Sequence, residues 1–180
     1  MTAPPRSFAG RIGTIPDLVW APFCEAVLIL VAGATALWSG HPWLFSALGP
    51  TAYEIVEKPF LKSSRTYNIL VGHMIGLGSG FAAVSVCGAW MQPIVNAHSV
   101  VTTERLWAAT ISVLLTAVIN LLLKSGQPAA FSTALLVSLG SMQTAYSALW
   151  IAVGVALIAL LGEPLRILRL RGLRERGITG

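Results

Sequence analysis

The sequence predicts an all-α protein, a polytopic membrane helix bundle. It has four long spans and two short Gly/Pro-interrupted segments, arranged in two pseudo-inverted halves. Three observations lead there. Of the 180 residues, 55% are hydrophobic and only 11% charged, against roughly 25% charged in an ordinary soluble domain. Several apolar runs approach the about 20 residues that a membrane-spanning helix needs, and the charges fall almost entirely between them. No run alternates apolar and polar residues as a barrel strand does. The chain 1–180 is then one membrane domain, with halves at 18–91 and 106–161 and a basic cytoplasmic tail at 162–180.

The first apolar segment runs from Leu18 to Trp38. Arg6 and Arg11 before it, and Ala34-Thr35-Ala36 near its end, imitate a secretory signal. The run is longer than a signal's apolar core and contains Pro22 and Glu25, which favours a retained span. The second segment, Trp43 to Val56, is short and is interrupted by Gly49-Pro50. The third, Ile69 to Met91, carries Gly72, Gly76 and Gly80 at four-residue spacing with Gly88 in phase, a stripe that permits close helix contact. The fourth is Leu106 to Leu123, the fifth Pro128 to Gly140, short again, and the sixth Thr144 to Leu161, with Ala148, Ala152 and Ala156 on one face.

Charge orients these segments. If all six cross and the N-terminus is cytoplasmic, the inside holds Arg6, Arg11, Lys58, Lys62, Arg65, Lys124 and the five tail arginines, Arg166, Arg169, Arg171, Arg174 and Arg176. The outside holds Arg105 alone, as the positive-inside rule requires. Both termini are therefore expected in the cytoplasm, in a multi-pass protein of the cell (inner) membrane, with 39–41 and 93–103 external. Three crossings per half make the halves inverted. A sequence echo supports the repeat: His41-Pro42-Trp43-Leu44-Phe45-Ser46-Ala47 and Gln127-Pro128-Ala129-Ala130-Phe131-Ser132-Thr133 both read polar-Pro-x-x-Phe-Ser-small.

Composition also excludes functions. The formal charge of +5 comes from basic residues flanking apolar segments, a topology pattern and not a nucleic-acid-binding face. Cys24 and Cys87 lie inside apolar segments with no metal spacing or disulfide framework. His41, His73 and His98 are far apart, and no cofactor or metal site is expected. No catalytic arrangement appears, and the loops are too short to build a water-facing active site. Gly76-x-Gly78-x-Gly80 is no nucleotide fingerprint, because no strand precedes it.

Paired short segments with Gly and Pro interruptions point to a transporter's binding site. A helix restarting at Pro50 would aim the amides of Thr51 and Ala52 at an anion, the partial positive charge of a helix start replacing a formal cation. Ser46, Ser132 and Thr133 offer hydroxyls at similar depth, although such hydroxyls commonly bond their own backbone. The expected binding set is Ser46, Gly49, Pro50, Thr51, Ala52, Ser132 and Thr133. A cytoplasmic vestibule is expected from Asn68, His73, Asn120, Gln127 and Pro128. His73 either carries a proton or sits neutral, bonded to a neighbouring helix. Glu54 and Glu57 are expected to pair with Lys58, Lys62 or Arg65 at the membrane surface.

The motifs Leu48-Gly49-Pro50-Thr51-Ala52, Asn68-x-x-x-Gly72-His73 and Gln127-Pro128-Ala129-Ala130-x-x-Thr133-Ala134-Leu135 resemble those of the HPP family of small integral membrane proteins. The resemblance covers about 47–140. The family's His-Pro-Pro is Gly126-Gln127-Pro128 here, and Tyr67 stands where an arginine is expected. Plant-chloroplast and cyanobacterial relatives are associated with nitrite transport. The resemblance thus implies a transporter or channel for a small monovalent anion, nitrite first. Another small solute, or a non-transport structural subunit, are the alternatives. The expected partners are the anion, the lipid bilayer and further copies of the chain in a homodimer or other homo-oligomer, the glycine stripe being the contact.

Overall fold

The computed structural model describes residues 15–98, 100–175 and 177. They form seven helices and no strand among the described residues: α1 Ile15–Ser39, α2 Leu48–Glu57, α3 Thr66–Val86, α4 Val95–His98, α5 Thr103–Leu123, α6 Ala129–Ser138 and α7 Ala145–Glu175. Four of them, α1, α3, α5 and α7, are long and apolar enough to cross a membrane. Their outward faces are apolar, with Leu37, Trp38, Leu121 and Leu122 among the most exposed side chains. That is the surface expected of a bundle whose solvent is lipid. The predicted helix-bundle class is therefore the observed one. The basic tail is not a separate element, because α7 continues through Arg166, Arg169, Arg171 and Arg174.

Helix length decides how each segment spans. With 21 residues each, α3 and α5 are roughly 32 Å long, close to the about 30 Å of a hydrocarbon core. The ten residues of α2 and of α6 reach only about 15 Å. The irregular residues ahead of each short helix supply the rest. Phe45 and Ala47 before α2, and Ser125 and Gln127 before α6, are buried, which is the condition for irregular backbone at membrane depth.

Close contacts set direction. A Cβ on Gly80 would lie 2.7 Å from Val137 Cβ and 3.0 Å from the Ala134 carbonyl oxygen, while Gly76 faces Ala130 and Gly72 faces Gln127. Ascending numbers match ascending numbers, so α6 runs parallel to α3. Likewise Gly154 abuts the Trp43 backbone and Gly162 abuts Ile55, so α2 runs parallel to α7. Thr66 donates to Glu163 at 3.0 Å and Arg166 donates to the Pro59 carbonyl at 3.1 Å, bringing the α2–α3 linker to the far part of α7. Lys58, Lys62, Arg65, Lys124 and the α7 arginines gather at this basic end. The opposite end holds Arg105, together with His41 stacked on Trp150 at 3.9 Å between ring centroids. All six segments therefore run from one end to the other, and the described part of α1 starts, and α7 finishes, at the basic end. Arg6, Arg11 and Arg176 lie outside the described residues.

The packing has a pseudo-twofold pattern. α1, α2 and α7 pack together, as do α5, α6 and α3. Each half thus lends its third helix to the other. Contacts of α3 with α7 and of α2 with α6 join the two units. This arrangement occupies the glycine stripe inside the chain, where Gln127 covers Gly72 and α6 covers Gly76 and Gly80. The stripe expected to bind a second copy is consumed by an internal contact, because a short helix can cross the bundle only if another backbone lets it approach closely.

Gly76→Leu should therefore destabilise the bundle. Overpacking typically costs about 1–3 kcal/mol, and here the obstacle is the Ala130 backbone. At the upper end this is a fall of roughly 6–12 °C in the melting midpoint in detergent. Gly78→Leu, where nothing lies within 4 Å, should melt like the wild type.

Candidate functional site

The centre of the bundle is polar, and its hub is His73 on α3. The ring is 0% exposed. Nε2 lies 2.9 Å from the Thr51 hydroxyl on α2, and Nδ1 lies 2.7 Å from the Thr133 hydroxyl on α6. Both threonines are fully buried. The two short helices thus meet through one imidazole. Helical period explains the choice of residues. On α2, Leu48, Thr51, Ala52 and Ile55 share the inward face, and on α6 Ala130, Thr133, Ala134 and Val137 do. The glycine at 72 lets α3 approach α6 closely enough for its neighbour His73 to reach Thr133.

The hydroxyls also reach backbone. Thr51 donates to the Ala47 carbonyl at 2.9 Å, and Thr133 makes a longer contact of 3.4 Å to the Ala129 carbonyl. A neutral ring fits without an unmet group. Thr133 donates to Nδ1, Nε2–H donates to Thr51, and Thr51 donates to Ala47. A protonated ring also fits, with both N–H groups donating and both hydroxyls turned to their carbonyls. The hub accepts either charge state by rotating one hydroxyl. Both readings open for His73, proton carrier and neutral interhelical link, are geometrically available.

Several expected residues lie elsewhere. α2 begins at Leu48, upstream of the Gly49-Pro50 pair, so no helix restarts at Pro50. The amides of Thr51 and Ala52 are consequently engaged by the i→i−4 pattern and present no anion site. Gly49, Pro50 and Ser46 face outward, and Ser132 is only half-buried, about 100° around α6 from Thr133. Pro128 caps the start of α6 and is exposed. Asn68 donates to the Lys62 carbonyl, and Asn120 accepts from the Ser125 hydroxyl, so both hold turns at the basic end. The amide nitrogen of Asn120 has no partner.

Glu54 departs most from expectation. It turns inward from α2, 7% exposed, and accepts from the Ser63 hydroxyl at 3.2 Å instead of pairing at the membrane surface. Its second oxygen has no partner. The side-chain amide of Gln127, 1% exposed, lies beside this carboxylate, and neither of its polar atoms makes a well-aligned hydrogen bond. Reading Glu54 beside Lys58 in the sequence suggested an ion pair. The inward turn follows from Thr51 three residues earlier, on the same helical face.

Sequence reasoning also missed Arg105. It is fully buried. Its guanidinium donates to the carbonyls of Pro93 at 3.2 Å, Ser138 at 3.1 Å and Gln92 at 2.7 Å, and to the Gln143 side chain at 3.2 Å. Ser138 ends α6, so the cation sits at the negative end of that helix. A Cβ on Gly140, where φ is +95°, would lie 2.6 Å from the guanidinium. The isolated position of Arg105, far from the other cations, was the available signal.

The family model described as "HPP, transmembrane region" matches residues 11–171, all but the first ten and last nine. No curated protein and no solved structure gives a match.

Thr51→Val and Thr133→Val each leave one imidazole nitrogen with one partner fewer. Each should cost about 1–3 kcal/mol of stability, read by denaturation in detergent. Because both hydroxyls share one ring, the double-mutant cycle should show a coupling of at least about 0.5 kcal/mol. Simple additivity would show that the ring is not their common partner.

Proposed function

The chain belongs to the HPP transmembrane family, and from that premise we propose that it carries a small monovalent anion, nitrite first, across the membrane. The observation that carries this reading is the position of His73. It sits on the seam between the two three-helix units, bonded on each side to a short helix. In transporters built from inverted repeats, substrate sites lie at the repeat interface near mid-depth, and access alternates as one unit rocks against the other.

Rocking has a specific consequence here. Thr133 and His73 belong to the same unit, α3 with α5 and α6, whereas Thr51 belongs to α1, α2 and α7. Separation of the units breaks the His73–Thr51 bond and keeps the His73–Thr133 bond. An anion entering the gap takes the place of Thr51 at Nε2–H, with the freed Thr51 hydroxyl as a further donor. Two hydroxyls and one imidazole hold an anion weakly enough to release it, as transport requires. Half-buried Ser132 borders this route as a secondary donor, and buried Asn68, Asn120 and Gln127 line its basic end. The basic end faces the cytoplasm, since the opposite end holds Arg105 alone among the described basic residues.

A different small solute is the second reading. It is favoured by Gly126-Gln127-Pro128, which stands in place of the family's His-Pro-Pro and holds no histidine.

Purified protein in liposomes should take up nitrite at least about tenfold faster than protein-free vesicles, a ratio equivalent to about 1.4 kcal/mol of barrier. Thr51→Val with Thr133→Val should return uptake to background in folded protein, and His73→Ala should alter its pH dependence. Unchanged uptake in the double variant would remove the central site from the mechanism. Uptake of formate, nitrate or bicarbonate in preference to nitrite would favour the second reading. For orientation, Lys62→Cys should resist membrane-impermeant maleimide added outside intact cells, and labelling there would reverse the assignment.

A further inference from the structure

Beyond the central histidine, the basic end of the bundle holds a buried group that the proposed anion route does not use. Glu54 lies three residues after Thr51 on the same face of α2, one turn nearer the basic end. One carboxylate oxygen takes the Ser63 hydroxyl and the other has no partner. Beside it is Gln127, with an unpartnered amide oxygen and an unpartnered amide nitrogen in a side chain 1% exposed. Unmet polar groups in such surroundings each cost about 1–3 kcal/mol. Three such atoms together point to a ligand that the group takes up.

We propose that Glu54, Gln127 and Ser63 form a proton-binding site that couples solute movement to the proton gradient. The inference rests on the reading of the chain as a transporter.

The donor set suits a proton. An ionised Glu54 accepts from Ser63 and from the Gln127 amide nitrogen. A protonated Glu54 donates from its free oxygen to the Gln127 amide oxygen, and still accepts from Ser63. A glutamine serves both states by rotating its amide, which a lysine at 127, a donor only, cannot do. Glu54, Ser63 and Gln127 carry four side-chain oxygens between them, too few for a hard metal cation that takes about six or more.

Location links the site to the transport cycle. Glu54 belongs to the unit of α1, α2 and α7, and Gln127 leads into α6 of the other unit. The Glu54–Gln127 contact crosses the same seam as Thr51–His73, so separation of the units exposes both sites together. Other charged groups at this end have their own places. On α7, Glu163 pairs with Arg166 at 2.5 Å. On α1, Glu25 feels the charge of Glu57, the last residue of α2. On the linker, Lys58 lies over Tyr53, while Lys62 and Arg65 are exposed. On α3, His73 is held by its two threonines.

The charge balance is simple. The empty carrier holds Glu54 as a carboxylate. The loaded carrier holds a neutral Glu54 carboxyl and one anion. Both carry one negative charge at the seam, so one proton and one anion move together without net charge transfer.

Two measurements test this. Infrared pH-difference spectra of the protein in bilayers should show the carbonyl stretch of a protonated carboxyl, and Glu54→Gln should remove it. This readout needs no transported solute. In liposomes with a one-unit inward proton gradient, wild type should accumulate nitrite up to about tenfold, the limit for one proton per anion. Glu54→Gln should accumulate none while retaining nitrite–nitrite exchange. Persistence of the carboxyl band in Glu54→Gln, full accumulation by that variant, or accumulation driven by a sodium gradient in place of protons would each overturn the proposal. If wild type exchanges no nitrite at all, the anion reading fails, and the infrared band alone then decides whether Glu54 binds a proton.

Discussion

The contact of α3 with α6 sets the geometry on which the other features depend. Three glycines one turn apart remove the side chains that would hold two helices about 8–10 Å apart, and the α6 backbone moves into that space. Lipid supplies no hydrophobic drive for such an approach, so dispersion between closely matched surfaces has to hold it. Once α6 lies in the groove, Gly72 fixes the depth of Gln127. The next residue, His73, is then carried to the meeting point of Thr51 and Thr133. A side chain at any of the three glycines would move the hub as well as the helix.

Buried polar groups explain the remaining architecture. Short helices preceded by irregular backbone leave carbonyls and amides that lipid cannot satisfy. At one end the carbonyl of Ser138, at the close of α6, is taken by Arg105, which also gathers the 92–93 turn. This buried cation is held by four oxygen acceptors and a helix end. At the other end Arg166 ties the Pro59 carbonyl to Glu163. These fastenings lie at the two extremities. The seam between them carries the histidine and the glutamate, where weaker and reversible bonds suit a moving interface.

Much of this was legible in the residues. Apolar runs, the charges between them and the Pro-x-x-Phe-Ser echo predicted six segments in inverted halves, and the six run end to end. Thr51, Thr133 and His73 were each singled out. Their union was not, because His73 is 22 residues from one partner and 60 from the other. The break assigned to Gly49-Pro50 failed for a local reason. Proline is tolerated in a first helical turn, so the pair is compatible with a helix that began earlier, at Leu48. Glu54 was misjudged because sequence proximity to Lys58 and Lys62 says nothing about which helical face a carboxylate occupies.

By itself the sequence determined what depends on composition and local period: helix in place of strand, spans in place of loops, which residues can approach closely, and one basic end. These follow from the cost of placing charge and bare backbone in hydrocarbon, which each segment meets alone. The tertiary structure decided which partner each half's third helix takes. It also decided that the glycine stripe is used within the chain, and which buried polar groups share a seam. Those depend on contacts between segments up to about a hundred residues apart, such as Thr66 with Glu163. A polar side chain carries no local mark of its distant partner, because in a medium without water the partner is whichever group the folded backbone brings within reach.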